Sequence, residues 1–261
     1  MTSLLDGKVV VVTGGNRGIG EAISLAMGRA GARVAVSARD RVSAELVVAT
    51  LRQQGSEAVA IAADVTEEAS VANLRQEVVD RFGRVDAVVA NAGIAGPTRL
   101  LHEITLSEWR ECMATDLDGV FLTFRGFAPL LIEQGGGSLI AISSMTGKRP
   151  LAGRTPYAAA KMGVIGLCRS LALELGGFGI RVNSVCPGAV NGPRVADVIQ
   201  NQARLQGVSE DVARRQFSEA SPLKRLVEPG EIAAACVFLA SDASSGITGE
   251  DLNVTAGAVM Y

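Results

Sequence analysis

The segment TPYAAAKMG (155–163) places a tyrosine and a lysine, Tyr157 and Lys161, four positions apart. On a helix, residues four apart lie on the same face, so the two side chains can meet. A free phenol is a poor base at neutral pH, and a neighbouring ammonium group favours its charged form, the phenolate. Such a pair can therefore transfer a proton in general acid/base catalysis. The same spacing also arises between ordinary helical neighbours, so other residues must distinguish the two interpretations.

A second candidate site is the glycine-rich segment TGGNRGIG (13–20), which follows a β-branched run and precedes a helical pattern. A turn of this kind lets backbone N–H groups approach a phosphate, and the helix dipole favours its negative charge. The spacing of Gly14, Gly18 and Gly20 differs from the usual G-x-G-x-x-G of dinucleotide-binding folds. The segment nevertheless predicts a pyrophosphate-binding turn between the first strand and the first helix.

Short runs that are apolar at nearly every position alternate with longer amphipathic stretches along the whole chain. Such runs are typical of parallel strands that are buried on both faces. They occupy 8–13, 33–38, 57–63, 85–90, 137–143 and 180–186, with a seventh at 252–255. This alternation predicts an α/β fold, a Rossmann-type doubly wound parallel sheet of about seven strands with helices on both faces. We expect a single domain over 1–261, in which the polar stretch 189–227 forms a substrate lid.

The composition restricts the classes of function. The net charge of −2 gives no reason to expect nucleic acid or a membrane surface as a partner, and no apolar run approaches the length of a membrane span. Four scattered cysteines and a single histidine, His102, offer little for a metal site, so we expect no metal. The N-terminus lacks the long apolar region of a signal peptide, so we expect a cytoplasmic location. A basic cluster of Lys148, Arg149 and Arg154 is interpreted as a solvated loop.

Four motifs follow one another along the chain: Thr13-Gly14-x-x-x-Gly18-Ile19-Gly20, Asn91-Ala92-Gly93, Tyr157-x-x-x-Lys161 and Pro187-Gly188. This ordered set resembles the short-chain dehydrogenase/reductase family, including its 3-oxoacyl reductase-like members, and the resemblance covers essentially the whole chain. It implies an NAD(P)(H)-dependent oxidoreductase that interconverts an alcohol and a ketone or aldehyde by hydride transfer.

The resemblance also assigns roles to individual residues. Tyr157 would be the general acid/base, and Lys161 would hold the nicotinamide ribose and favour the phenolate. Ser144, thirteen positions before the tyrosine, would orient the carbonyl or alcohol of the substrate. Ser143 is one residue too far from the tyrosine, and the period of two in a strand would turn it to the opposite face.

Two positions depart from the pattern of the family. Asp116 replaces an asparagine that completes a proton relay, so it either serves in that relay or stabilises a bend in a long helix. Gly192 replaces a frequent threonine that contacts the carboxamide of the cofactor. Arg194, two residues further on, either meets an anionic group of the substrate or faces solvent.

The resemblance implies a set of cofactor-binding residues spread over the whole chain: Gly14, Asn16, Arg17, Gly18, Ile19, Gly20, Arg39, Asp64, Val65, Asn91, Ala92, Gly93, Tyr157, Lys161, Pro187, Gly188 and Val190. An acidic residue at the end of the second strand would bind the adenosine ribose and repel a 2′-phosphate. Ala38 occupies that position, and Arg39 and Arg17 suit a 2′-phosphate. We therefore predict a preference for NADP(H), with NAD(H) as the alternative if Asp40 takes the acidic role.

The predicted substrate is a small or medium polar alcohol or carbonyl compound. One alternative is the reduction of a 3-oxoacyl thioester. An alternative from another class is a non-catalytic NADP(H)-sensing protein, which the presence of Ser144, Tyr157 and Lys161 together disfavours. Since the family is commonly tetrameric, we expect a homotetramer formed through helices at 105–134 and 155–176.

Overall fold

The computed structural model of the protein describes residues 3–261, and its seven strands form one sheet. All neighbouring strands are parallel, in the order β3-β2-β1-β4-β5-β6-β7. The strands are β1 (Val9–Thr13), β2 (Arg33–Ala38), β3 (Ala58–Ala62), β4 (Ala87–Ala90), β5 (Gly137–Ile142), β6 (Ile180–Pro187) and β7 (Asp251–Val254). The predicted fold class is confirmed, and each strand begins and ends within one or two residues of its predicted bounds.

Helices flank the sheet on both faces. They are α1 (Gly18–Arg29), α2 (Arg41–Gln53), α3 (Glu68–Phe82), α4 (Leu106–Met113), α5 (Gly119–Gln134), α6 (Met145–Lys148), α7 (Thr155–Leu175), α8 (Pro193–Gln206), α9 (Glu210–Glu219) and α10 (Pro229–Ala240). The side chains of successive residues in each strand point alternately to the two faces of the sheet. In β1, Val10 and Val12 belong to the core under α1, α2 and α10, whereas Val9 and Val11 belong to the core under α3, α5 and α7. Because both faces are covered, the strands are apolar at almost every position.

The strand order reverses direction between β1 and β4, since β1 pairs with β2 on one side and with β4 on the other. In open α/β sheets, the crevice at the carboxyl ends of the strands beside such a reversal is where ligands bind. The segments that follow β1, β4, β5 and β6 all leave the sheet at this edge, and they contain the predicted motifs.

The predicted helical segment 105–134 is not one regular helix. Thr105 and Glu108 form a capping box at the start of α4, where the Thr105 hydroxyl accepts from the Glu108 backbone N–H at 3.2 Å. A π-helical turn, Ala114–Asp118, then separates α4 from α5. Such turns insert one extra residue into a helix and are frequent at functional sites. The bend considered for Asp116 in the sequence therefore exists, and Asp116 lies within it.

The stretch 189–227 forms an excursion of its own. A parallel bridge between Val190 and Val227 closes its base, and α8 and α9 pack against each other around Ile199, Ala203 and Ala213. This pair of helices projects from the carboxyl edge of the sheet, after β6.

None of the helices in residues 3–261 combines the length and the apolar composition that crossing a membrane requires.

Candidate active site

Ser144 and Ser143 follow β5 and point in different directions. Ser144 begins α6, and its hydroxyl accepts from the Thr146 backbone N–H at 3.1 Å, which leaves the hydroxyl proton free to be donated elsewhere. Ser143 instead donates to the Lys161 backbone carbonyl at 2.8 Å and so joins β5 to α7. Only Ser144 is therefore available to a ligand at the strand ends.

Tyr157 and Lys161 lie one turn apart on α7, with the Lys161 Nζ 5.6 Å from the centre of the Tyr157 ring. The lysine is 3% exposed, and its ammonium group donates to the Ile142 backbone carbonyl at 3.0 Å. Because Ile142 is the last residue of β5, this bond ties the lysine to the strand that leads to Ser144. The fold thus brings the serine, the phenol and the ammonium group to one edge of the sheet.

Asp116 is fully buried and forms an ion pair with Lys161, with 3.1 Å between Oδ1 and Nζ. Its second oxygen accepts from the Ile94 backbone N–H at 3.3 Å and from the Cys112 thiol at 3.6 Å. Burial alone lowers the pKa of Lys161, but the charges of Asp116 and Tyr157 outweigh it, so the pKa of the lysine lies above its ordinary value. The lysine is therefore held in its charged form.

The Asp116 carboxylate also affects the pKa of the neighbouring Cys112 thiol. Burial and the nearby charge of Asp116 together raise the pKa of the Cys112 thiol to about 12. This thiol is therefore protonated at neutral pH and acts as a hydrogen-bond donor rather than as a nucleophile.

Glycines allow the glycine-rich turn and the segment after β4 to approach each other closely. A Cβ on Gly20 would lie 2.0 Å from the Gly14 carbonyl oxygen, and one on Gly14 would lie 2.9 Å from the Ala92 Cα. Asn91 joins the two segments, since its side-chain amide donates to the Thr13 and Gly14 carbonyls at 2.9 and 3.0 Å. The backbone of α1 begins directly behind this turn, and no side chain in the described part of the chain caps it. This open helix N-terminus fits the pyrophosphate of a dinucleotide.

Asp40, two residues after the end of β2, caps α2, and its carboxylate accepts from the Val42 and Ser43 backbone N–H groups at 3.1 Å each. A hydrogen bond from the Ser43 side chain is the largest cause that lowers the pKa of Asp40, and the two backbone N–H groups lower it further. Ala38 ends β2, and the Arg39 side chain next to it is exposed, as is Arg17.

The remaining predicted contacts lie after β3 and β6. The Asp64 carboxylate accepts from the Thr66 backbone N–H and hydroxyl at 3.0 and 2.7 Å, and Val65 is buried beside it. Pro187 ends β6, and a Cβ on Gly188 would lie 2.9 Å from the Thr255 Cα. The glycine therefore lets the segment after β6 pass close to the segment after β7.

Arg194 lies in the first turn of α8, and its guanidinium donates through Nη2 to the Gly93 carbonyl. Although the side chain is exposed as a whole, this bond spans from the helical excursion to the segment after β4. Arg194 therefore faces the crevice rather than bulk solvent alone.

The interpretation of Arg154 as part of a solvated basic loop is wrong. Arg154 is 4% exposed, its guanidinium carbon lies 4.7 Å from the centre of the Tyr157 ring, and it donates to the Ala95 carbonyl at 2.7 Å. Lys148 of the same cluster is also largely covered, in an ion pair with Asp251. The sequence signal for a contact between Arg154 and Tyr157 was their spacing, since Arg154 precedes Tyr157 by three positions, which is about one helical turn.

A cavity of about 220 Å³ adjoins the segment after Ser144. Met145, Thr146 and Leu151 line its inner side, and Phe217 and Gln206 of the helical excursion line its outer side. A space of this size between the strand ends and α8 and α9 suits a small or medium organic molecule.

Comparison with known proteins shows one consistent set of relatives. Residues 14–259 match a family model described as enoyl-(acyl carrier protein) reductase. The 3-oxoacyl-[acyl-carrier-protein] reductase of Synechocystis sp. is 36% identical, over 98% of this chain and 99% of that protein. The cis-4-hydroxycyclohexanecarboxylate dehydrogenase of Sinomonas cyclohexanicum is 38% identical, over 96% of both. The crystal structure of an NAD⁺-bound xylitol dehydrogenase superimposes with a TM-score of 0.94 at 28% identity, over 97% of this chain and 99% of that chain.

Proposed function

The chain belongs to the short-chain dehydrogenase/reductase family, and we propose that it interconverts an alcohol and a ketone or aldehyde on a small or medium polar substrate. The observation that carries this proposal is the convergence of Ser144, Tyr157 and Lys161 at the carboxyl edge of the sheet, beside a turn that fits a dinucleotide. The cofactor is a nicotinamide dinucleotide, which when bound donates hydride to the carbonyl or accepts it from the alcohol.

The residues of the chain supply the proton and the orientation. Tyr157 donates its phenolic proton to the carbonyl oxygen in reduction and accepts the hydroxyl proton in oxidation. Ser144 donates to the same oxygen, because its hydroxyl oxygen accepts from the Thr146 N–H and its hydroxyl proton remains free. Lys161 stabilises the phenolate, and the buried Asp116 keeps that lysine charged and holds its direction.

The cofactor would lie across the crevice. Gly14, Gly18 and Gly20 with the open end of α1 would hold the pyrophosphate, while Asn91 keeps the glycine turn against the segment that follows β4. Asp64 and Val65 would line the adenine pocket. Ile19, Ala92, Gly93, Pro187, Gly188 and Val190 complete the proposed contacts, with Lys161 on the nicotinamide ribose.

The direct test is a spectrophotometric screen of alcohols and carbonyl compounds with both cofactors, which follows the absorbance of the reduced nicotinamide. Turnover of a small hydroxy compound supports the proposal. Turnover confined to acyl thioesters would support the second candidate, a 3-oxoacyl-thioester reductase, which the name of the Synechocystis relative favours. Cofactor binding without turnover across the whole panel would instead point to an NADP(H)-sensing protein.

We propose NADP(H) as the preferred cofactor. Two exposed guanidinium groups, Arg17 and Arg39, flank the proposed adenosine site, and Ala38 offers no carboxylate there. The Asp40 carboxylate is engaged at the N-terminus of α2 by two backbone donors, one on each oxygen, so it is poorly placed to turn towards a ribose. These features together favour a 2′-phosphate over a free hydroxyl pair.

The Ala38→Asp variant should therefore reverse the cofactor preference. A carboxylate at the end of β2 would repel a 2′-phosphate and bond to a free ribose, so kcat/KM with NADPH should fall relative to NADH by about 10- to 100-fold. Arg39→Gln should lower the same ratio by removing a cation, and Arg29→Gln, at the exposed far end of α1, serves as the control. An NADH preference in the unmodified protein would contradict the proposal.

We also propose a homotetramer in the cytoplasm. The outer faces of α5 and α7 expose apolar side chains, among them Phe121, Met162 and Leu173, which is 89% exposed. An apolar cavity of about 270 Å³ lies between the same two helices. Faces of this kind are suited to pairing with a second copy of the chain.

Leu173→Glu should lower the mass of the assembly in sedimentation velocity, because a carboxylate on this face would lose water on association. Leu46→Glu on α2 is the matched control, since Leu46 is also exposed, at 69%, but lies on a different helix. A monomeric unmodified protein, or a Leu173→Glu variant with unchanged mass, would remove α7 from the proposed interface.

We further propose that α8 and α9 act as a substrate lid. Arg194 reaches from α8 to the Gly93 carbonyl, so the first turn of the lid lies across the crevice. In this position, the guanidinium is able to meet an anionic group of a bound ligand.

A further inference from the structure

Arg154 is a buried cation whose hydrogen-bonding capacity is largely unused. Its Nη2 donates to the Ala95 carbonyl at 2.7 Å, but Nε and Nη1 find no acceptor within residues 3–261. Four of the five N–H groups of the guanidinium, one on Nε, two on Nη1 and the second on Nη2, are therefore left over. A guanidinium that is 4% exposed and only partly hydrogen-bonded is costly to bury. We therefore expect a ligand that accepts hydrogen bonds from its unpaired N–H groups.

The guanidinium stands directly beside the group that transfers the proton. Its carbon lies 4.7 Å from the centre of the Tyr157 ring, so it covers one face of the phenol. Its bond to Ala95 fixes it against the segment that follows Asn91-Ala92-Gly93. A ligand that binds the free edge of Arg154 would therefore carry its reacting carbon within reach of Tyr157.

The charges around Arg154 are unbalanced. Arg194 donates to the Gly93 carbonyl and Arg154 donates to the Ala95 carbonyl two residues further on, so both cations lie against the segment that follows β4. Asp116 is the carboxylate that acts on this group, and it is already in an ion pair with Lys161 at 3.1 Å. Three cations thus share one anion, and a ligand with a negative charge would restore the balance.

We propose, on the basis of the proposed oxidoreductase function, that the substrate carries a carboxylate that binds to Arg154. The substrate class is then a hydroxy acid and its corresponding oxo acid. A carboxylate is planar and accepts through two oxygens, so it can bond to Nε or to Nη1 together with the second N–H of Nη2, along one edge of a planar guanidinium whose face is occupied by the tyrosine ring.

The segment that carries Arg154 is covered by the proposed lid. Gln202 of α8 donates to the Ala152 carbonyl at 2.9 Å, and a Cβ on Gly153 would lie 2.7 Å from a methyl carbon of Leu205. A substrate therefore reaches Arg154 when α8 moves away, and it is enclosed when α8 returns. Recognition of the carboxylate would therefore take place next to residues 152–153, which contact the lid.

The test compares acids with their uncharged isosteres. Oxidation of 3-hydroxybutanoate and 4-hydroxycyclohexanecarboxylate is measured beside oxidation of the matching primary amides, with NADP⁺ and NAD⁺. In the unmodified protein, kcat/KM for the better acid should exceed that for its amide by about 10- to 100-fold. In Arg154→Gln this ratio should fall towards one, chiefly through KM of the acid, whereas the control Arg29→Gln should keep it.

Direct binding separates this inference from the proposed function. Titration calorimetry of the protein with bound NADP⁺ measures the affinity for each acid, with or without turnover. Acid binding that Arg154→Gln abolishes upholds the inference even if no substrate turns over. Turnover of neutral alcohols with no preference for acids, in the unmodified protein, would overturn the inference while the proposed function stands.

Three further outcomes test whether Arg154 binds the carboxylate of the substrate. Arg154→Lys keeps a cation without the planar edge, so it should recover part of the acid-to-amide ratio even if Arg154→Gln folds poorly. An equal shift in the pH–rate profiles of acid and amide, with the ratio unchanged, would show that Arg154 tunes Tyr157 instead. A preference for hydroxyalkyl phosphates over the matching carboxylates would overturn the assignment of the anion.

Discussion

Tyr157→Phe is expected to reduce kcat by about 10²- to 10⁴-fold while leaving cofactor binding nearly intact. The substitution removes only the phenolic oxygen, so the ring still fills its place under the Arg154 guanidinium and beside Lys161. Without that oxygen, the proton that must accompany hydride transfer loses its proposed donor, the Tyr157 hydroxyl. The loss should therefore appear in turnover and not in the affinity for the cofactor.

The chain offers a matched control, because it contains only two tyrosines. Tyr261 is 74% exposed at the C-terminus, and Tyr261→Phe should retain turnover. Turnover is followed through the absorbance of the reduced nicotinamide, and cofactor affinity is followed by its fluorescence. If Tyr157→Phe turned over at the rate of the unmodified protein, Tyr157 would have no part in the mechanism.

The parts of the fold that could be predicted from the sequence are those decided by local pattern. The seven strands are apolar at consecutive positions because both of their faces are covered, and this signal does not depend on which strands are neighbours. The spacing of Ser144, Tyr157 and Lys161 was equally visible, since strand and helix periods determine which faces these side chains share. The structure places all three at one edge of the sheet, where their proposed roles require them.

Features that depend on contacts between distant segments were not visible in the sequence. Arg154 lies in the same stretch as Lys148 and Arg149, but it is buried, and its guanidinium bonds to the carbonyl of Ala95 in a distant segment. The surroundings of Asp116 are a second example. It lies in the π-helical turn, and its carboxylate pairs with Lys161 and accepts from the Ile94 N–H, while its part in a proton relay stays a prediction.

Gly93 approaches the Asp116 carboxylate so closely that a side chain at this position would collide with it. A Cβ on Gly93 would lie 2.5 Å from the Asp116 Oδ1, the oxygen that pairs with Lys161. The glycine of the Asn91-Ala92-Gly93 motif therefore makes room for the carboxylate. In the proposed function, the residues of proton transfer and those of cofactor binding are consequently neighbours.

Lys161→Met should lower the free energy of unfolding by about 3–5 kcal/mol in addition to abolishing turnover, because it leaves the Asp116 carboxylate buried without a cation. The pKa of Lys161 is raised in the folded protein above its ordinary value of 10.5, so its favourable contribution is complete at neutral pH. It would be lost only as the pH rises through the folded-state pKa, in the alkaline range. Urea denaturation at pH 7 therefore measures the full effect.

The double variant Lys161→Met/Asp116→Leu distinguishes this cause from a simple loss of packing. It removes both charges, so no unpaired carboxylate remains, and much of the lost stability should return although turnover does not. If the double variant were as unstable as the sum of the two single variants, the ion pair would contribute no coupling. Recovery of stability without recovery of activity would show that Asp116 and Lys161 depend on each other for burial, and that restored stability alone does not restore turnover.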